Sequence, residues 1–249
     1  MRTTQLVTGY ISTAFFLALG IRCALSWARQ RDKTSAHLAI ATGLFGISQL
    51  IGVIDNTVYD ATKLQTPPQW VQIISSVIGL LAIYGFLIFL GDFIDFPRAV
   101  EALFVAATLA SIVFSIIERP DIRFDPTKGL VKIPGVHNPV DYRSYLGAVL
   151  IYYAIVLGIL WISFFVNALR VTGLARARMG LIAGGFFLLF VVVGLLPRLI
   201  FGSVDPHTLN GILQVAEYVA IVSAPLLFLG FAPPRWLAER FRDLPASTS

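Results

Sequence analysis

Seven apolar stretches follow one another along the chain, each ended by a short cluster of charged or turn-forming residues. Each is long enough to cross a bilayer as a helix, which takes about 20 mostly apolar residues. The pattern predicts helices over Gln5–Ala28, Ser35–Ile54, Trp70–Leu90, Arg98–Ile117, Tyr142–Leu169, Ala177–Phe201 and Gly211–Phe231. The chain therefore reads as all-α: a polytopic seven-transmembrane helix bundle over residues 1–238 and a short tail over 239–249. Lipid is then the solvent for most of the surface, and a polar side chain within a span is expensive unless it faces the bundle interior. The first stretch has the general plan of a signal peptide, with Arg2 ahead of an apolar run. It continues past Leu19 through Arg22 to Trp27 with no small-x-small cleavage site behind it, so it is read as a helix.

The segment Glu118–Asp141 is the one sizeable extramembrane element. Within Arg123–Gly135, Asp-Pro and Lys-Gly break helices while Val131 and Ile133 favour strand. It reads equally as a small hairpin lid or as an irregular surface loop. No internal repeat stands out. Pro197 and Pro225 interrupt the sixth and seventh stretches, but the first three carry no matching breaks. That counts against a transporter built from inverted repeats.

Composition agrees with the pattern. The 249 residues are 57% hydrophobic and 13% charged, against about 25% charged for soluble domains, and the mean hydropathy is +0.79. The net charge of +5 would hint at nucleic acid in a soluble protein. Here the basic residues gather at helix ends, as headgroup anchors do, and no basic stripe with interleaved aromatics lies outside the spans. The bilayer is the expected partner and nucleic acid is not. Cys23 is the single cysteine, so it has no disulfide or metal-site partner and packs as a small apolar residue.

Loop charge orients the bundle. With the N-terminus outside, Arg29, Arg31, Lys33, Arg98, Arg170, Arg176, Arg178, Arg235, Arg240 and Arg242 fall in the cytoplasm. The other side carries Arg2, Lys63, Arg198 and the basic residues of the long loop, which are mixed with Glu118, Asp121, Asp125 and Asp141. The short basic turns 29–33 and 170–178 decide the reading: N-terminus outside, C-terminus cytoplasmic, in the inner (plasma) membrane.

Polar residues inside the spans are the candidate chemistry. Glu217 lies about two turns into the seventh span, where a carboxylate must be protonated, paired or hydrated. Arg198, just before the short connection to that span, is its natural partner. The two read either as an ion pair locking helices or as a binding pocket or proton-sensitive switch. Tyr10, Gln49 and Asp55 fall in the same outer half, with Gln72, Ser75, Ser76, Tyr152 and Tyr153. If several face inward they form a ligand pocket; singly, Tyr10 and Gln72 read as interfacial anchors. Arg22 reads as snorkelling. Asp92, Asp95 and Glu101 read as structural partners of the basic turns. Gly180, Gly184 and Gly185 give the sixth helix a small face for close packing.

Other chemistry is missing. His37, His137 and His207 share no helix at ligand spacing, so no metal or haem is expected. No catalytic triad order, phosphate-cradling glycine loop or zinc-protease helix appears. The seventh helix has no lysine for a retinal Schiff base. No enzyme activity and no cofactor are expected.

The exit from the last span reads Phe228-Leu229-Gly230-Phe231-Ala232-Pro233-Pro234-Arg235-Trp236-Leu237, then Ala238-Glu239-Arg240-Phe241-Arg242. Pro233 and Pro234 end the helix, and Arg235 and Trp236 anchor it at the interface. This junction resembles that of bacterial membrane sensors in which a multi-helix module feeds a cytoplasmic histidine kinase, GAF or cyclase domain. The chain departs from them after Ser249, with no such domain, which implies an orphaned sensor module or a piece of a longer one. The resemblance implies a membrane sensory or ligand-binding module. The polar residues of the spans give its candidate ligand residues, Glu217, Arg198, Asp55, Gln49 and Tyr10; the resemblance implies the signal junction Pro233, Pro234, Arg235 and Trp236 and a separate kinase or cyclase as partner. Alternatives are a small-solute or ion transporter using Glu217, and a structural subunit of a membrane complex.

Overall fold

Long apolar runs bounded by Pro, Gly and charged pairs give the backbone little option but helix, because within lipid every N–H and C=O must be satisfied inside its own segment. The computed structural model describes the backbone of residues 2–58, 69–117, 122–125, 129–132, 142–195 and 206–240. It contains α1 (Arg2–Gln30), α2 (Lys33–Val58), α3 (Gln69–Gly91), α4 (Arg98–Ile117), α5 (Tyr142–Arg170), α6 (Gly173–Leu195), α7 (Pro206–Phe231) and a short α8 (Arg235–Arg240). Six helices, α1 to α6, are long and apolar enough to cross a membrane; within α7 the described apolar stretch is Tyr218–Phe231. The protein is a membrane protein built as a seven-helix bundle. At 1.5 Å per residue the 23 residues of α3 span about 35 Å, more than the roughly 30 Å hydrocarbon core.

The boundaries follow the sequence expectation closely, with one informative difference. The sixth helix starts at Gly173 rather than Ala177, so Arg176 and Arg178 lie inside its first turns. Long guanidinium stems let basic residues occupy a membrane helix end while the charge reaches polar surroundings. Gly173 takes φ 59°, a left-handed conformation that glycine adopts without strain.

The loop after α4 contains a hairpin, as one of its two readings had it. β1 (Ile122–Asp125) pairs antiparallel with β2 (Gly129–Lys132), with Ile122 opposite Lys132 and Asp125 opposite Gly129.

Helix neighbours define a closed ring in the order α1, α2, α3, α5, α6, α7 and back to α1, with α4 outside it against α3 and α5. The N-terminal stretch is thus a full member of the bundle. The centre is filled by rings. Phe16 meets Phe45 at 4.6 Å, Phe45 meets Phe86 at 6.3 Å and Phe86 meets Phe186 at 5.4 Å, all edge to face. Phe164, Phe89 and Phe231 continue the cluster. Each such pair adds about 0.5–1.5 kcal/mol beyond simple burial.

Leucine, isoleucine, valine and alanine fill most of the remaining core, and the buried polar side chains are small and hydroxylic. Among the described residues the buried polar ones are Thr8, Ser12, Thr13, Thr42, Thr108, Ser115 and Ser223. Several return their proton to their own helix: Thr42 donates to the Leu38 carbonyl at 2.7 Å and Ser115 to that of Ser111 at 2.9 Å. Ser48 and Ser75 clasp α2 to α3, each donating to the other's carbonyl at 2.9 and 3.2 Å. On α4 the buried residues are Thr108 and Ser115, while Leu103, Leu109, Val113 and Ile116 point outward. Apolar outside and hydroxyl inside is the arrangement for a helix solvated by lipid.

Candidate functional site

Each helix connection places its charges at one of two ends. One end, here the basic end, gathers the α1–α2 turn, the α3–α4 turn, the α5–α6 turn and the exit of α7. The α1–α2 turn is only two residues. Arg31 closes α1 at φ 55°, its N–H bonding the Trp27 carbonyl at 2.7 Å and its guanidinium lying 5.3 Å from the Trp27 ring centre. Asp32 then caps α2, accepting from the Ser35 hydroxyl at 2.8 Å and from the backbone N–H groups of Ser35 at 3.0 Å and Thr34 at 3.4 Å. The Ser35 hydroxyl, and then its N–H, hold the Asp32 carboxyl below its ordinary value.

At the same end Arg178 of α6 grips the end of α7. Its Nε–H donates to the Gly230 carbonyl at 3.0 Å and its Nη2 to that of Phe231 at 3.3 Å. These are the last carbonyls of α7, left without helical partners because the chain turns at Pro233-Pro234. A cation there also faces the negative end of the helix dipole. The contact requires Gly230: a Cβ at that position would lie 2.5 Å from Ile182 Cγ1 and 3.0 Å from the Arg178 carbonyl. Beyond the prolines, Leu237 donates its N–H to the Pro234 carbonyl at 3.0 Å and starts α8. Leu237 is buried and Trp236 exposed, which sets Trp236 where an interfacial anchor would be. The Arg235 side chain lies outside the described residues.

Two cavities open at this end. One, of about 540 Å³, lies among α2, α3 and α4 and is bordered by Lys33, His37, Tyr84, Asp92, Arg98 and Glu101. His37 Nδ1 sits 2.8 Å from Asp92 Oδ2, the one contact between a basic and an acidic side chain within 4.0 Å among the described residues. The second, of about 590 Å³, reaches from Arg22 and Asp32 to Arg178, Phe231 and Pro233, directly under the α7 exit.

Of the ligand residues expected from sequence, the described Tyr10, Gln49 and Asp55 line neither cavity. Tyr10 is 41% exposed and its hydroxyl lies 3.0 Å from Thr57 Oγ1. Thr57 already donates to the Val53 carbonyl at 2.7 Å, so Tyr10 is the donor, and the bond ties α1 to α2. Asp55 is half-buried on the same helix with its Oδ1 enclosed and unbonded. Gln49 is half-buried about a turn and a half away. Glu217 falls in α7, but its side chain, like all of Arg198, lies outside the described residues. Tyr152 is buried and donates to Thr108, whose own proton goes to the Phe104 carbonyl; both bonds are 2.7 Å.

Two sequence expectations change. Asp92 pairs with His37 rather than with the basic turns, because α3 ends beside the start of α2. Of the small face on α6, Gly185 is the member pressed on α7, where a Cβ would meet Leu227 Cγ at 2.6 Å; Gly180 faces open space. Arg178 was read only as loop charge. Its proximity to the FAPPRW exit is a property of the ring order, which no local pattern in the sequence carries.

No protein-family model matches the chain, and no curated protein or solved structure is similar to it.

Proposed function

We propose that the protein is a membrane-embedded sensory or ligand-binding module that passes a signal through α7 to a cytoplasmic partner. The observation that carries this reading is the Arg178 grip on the Gly230 and Phe231 carbonyls, immediately before Pro233-Pro234. A single side chain on one helix thereby holds the end of another where the chain leaves the bundle. Two charge-assisted hydrogen bonds therefore add to the packing of Phe231 on Phe186 and of Gly230 on Ile182 in fastening the end of α7 to α6. On this reading the basic turns face the cytoplasm of a bacterial cell, the bundle sits in the inner membrane and the N-terminus is outside, in keeping with the excess of basic residues in the short turns. The partner would be a kinase or cyclase, as the junction's resemblance implies. On this reading Glu217, Arg198, Asp55, Gln49 and Tyr10 belong to the input half, and helices α6 and α7 join that half to the exit.

The test is spectroscopic. The full chain, reconstituted in nanodiscs and spin-labelled at exposed Glu239 on α8, should gain label mobility when Arg178→Gln is introduced, while the bundle keeps its helicity. Arg178→Lys should fall between. Label mobility identical in all three proteins would remove the relay. Proteoliposomes of the same protein should carry no solute or ion flux; a flux lost in Glu217→Gln would favour a transporter.

A further inference from the structure

We infer that the cavity under the α7 exit is a binding site for an amphiphile with an oxyanion head, a phosphate or carboxylate on an apolar tail, held by Arg22 and Arg178.

The cavity joins two kinds of wall. One is cationic: Arg22 from α1 and Arg178 from α6 both border it. The other is aromatic: Phe89 of α3, Phe93 of the turn after it, Phe164 of α5 and Phe231 of α7. Asp32 also borders the space, but its carboxylate is taken up in capping α2 through Ser35 and Thr34. Among the described residues no carboxylate lies within ion-pair distance of either arginine, the one such pair being His37 with Asp92. Arg22 instead lies 6.0 Å from the centre of the Phe228 ring. Arg178 commits Nε and Nη2 to the α7 carbonyls, which leaves part of its five-donor fork for another acceptor.

Neither guanidinium faces a carboxylate among the described residues, although Arg178 is bonded to backbone carbonyls and Arg22 lies on a ring, so an anion in the cavity would supply the charge partner that both lack. Guanidinium suits phosphate and carboxylate because its planar fork meets two oxygens at once. A hydrated inorganic anion would leave the phenyl wall wet; an apolar tail covers it. The volume of about 590 Å³ falls within the roughly 300–1,000 Å³ of small-molecule sites. Two sources share this chemistry, an anionic lipid of the bilayer and a free amphiphile of the cytoplasm. A head that draws Arg178 toward itself would weaken the grip on α7; this consequence rests on the relay reading, whereas the site itself does not.

The experiment measures equilibrium binding of dodecyl phosphate to the full chain in phosphatidylcholine nanodiscs, corrected against empty nanodiscs. Binding should saturate, and neither dodecanol nor dodecyltrimethylammonium should compete. Arg22→Gln and Arg178→Gln should each weaken it by about ten- to a hundredfold, the loss of a charged hydrogen bond. Arg22→Gln keeps the test decisive if Arg178→Gln misfolds, because Arg22 is exposed and touches α7 through one ring face, with none of the backbone hydrogen bonds that Arg178 makes there. Repeating the titration in phosphatidylglycerol nanodiscs separates the sources: a weakened isotherm names the bilayer lipid, an unchanged one the free amphiphile, and either supports the site. Equal competition by dodecanol, or wild-type affinity in Arg22→Gln, overturns it. If binding holds but the Glu239 label ignores dodecyl phosphate, the site stands and its coupling to the relay fails. If Arg178→Gln mobilises the label while binding is absent, the reverse follows.

Discussion

Gly230→Ala tests the α6–α7 seam at its tightest point. The new methyl would lie 2.5 Å from Ile182 Cγ1, 3.0 Å from the Arg178 carbonyl and 3.1 Å from the Ile182 nitrogen. Ordinary carbon contacts are about 3.5–4.0 Å, so Ile182 must retreat by about an ångström. Ile182 is buried, and two of the three obstacles are backbone, so the helices themselves must part. Overpacking of this kind costs about 1–3 kcal/mol. Separation also lengthens the Arg178 bonds to Gly230 and Phe231, each charge-assisted and worth about 1.5–3 kcal/mol if lost outright. Against this, Ala gains about 1 kcal/mol over Gly in helix propensity. The expected net is a loss of about 2 kcal/mol. Gly180→Ala, on the same helix pair with nothing within 4 Å of its added methyl, should be neutral or stabilising by up to about 1 kcal/mol. Reversible unfolding in mixed micelles gives both values. Equal stability of the two variants would mean that the helices do not approach as described. Pairing Gly230→Ala with Arg178→Gln should give less than the sum of the single losses, since both act on one contact.

Thr108→Ala and Tyr152→Phe remove the bond that fastens α4 to the ring; each should cost about 0.5–1.5 kcal/mol, and a double-mutant cycle should return a coupling of about 0.6 kcal/mol, with additivity arguing against the bond. Ser48→Ala and Ser75→Ala should each loosen the α2–α3 clasp by less than about 1 kcal/mol in the same unfolding assay. The Asp32 cap has a pH signature: its carboxyl is held below the ordinary 3.8, so its contribution is complete above that value and is lost only as pH falls through its own lower one. Amide exchange at Thr34 and Ser35 should therefore stay protected at neutral pH and lose protection in acid, and Asp32→Ala should abolish the difference at every pH.

Much of the fold was legible because the bilayer simplifies the reading. A run such as Trp70–Leu90 has little alternative to helix when lipid leaves its backbone groups no other partner, and the α4 limits Arg98 and Ile117 coincide with the sequence expectation. The hairpin was half legible: Asp125-Pro126 and Lys128-Gly129 break helix and Val131 favours strand, but the same residues suit an irregular loop equally, and only the pairing of β1 with β2 decides between them. What the sequence withheld was the order of helices around the ring. Asp92 had basic turns on either side in sequence, yet its partner His37 stands fifty-five positions away on the helix that α3 packs against. Gly180, Gly184 and Gly185 mark a small face, but only the phase of α6 against α7 decides which of them touches Leu227. Arg178 looked like one more loop cation until the α7 exit was placed beside it.

The inside-out character of the bundle bears on how it can move. In lipid the apolar faces of α4, such as Leu103 and Leu109, gain little by joining another helix, because lipid tails are as apolar as leucine. Association therefore rests on close approach, interlocked rings and a few hydrogen bonds. Where these are dense, as in the Phe16 to Phe186 series, the ring order is firmly set. The basic end differs. There α7 is held by Arg178, by the fit of Gly230 against Ile182, by Phe231 among Phe89, Phe164 and Phe186, and by Phe228 against Phe15 and Arg22. Below that point the wall is a cavity rather than a core. On the proposed reading, a bundle packed at its centre and open beneath one helix end concentrates displacement at that end, where the chain passes from α7 to α8 through Pro233 and Pro234. Proline cannot carry helical hydrogen bonding across the exit, so α8 follows α7 through the direction of two fixed residues rather than through a continuous rod. A small tilt of the α7 end then becomes a change in where α8 points.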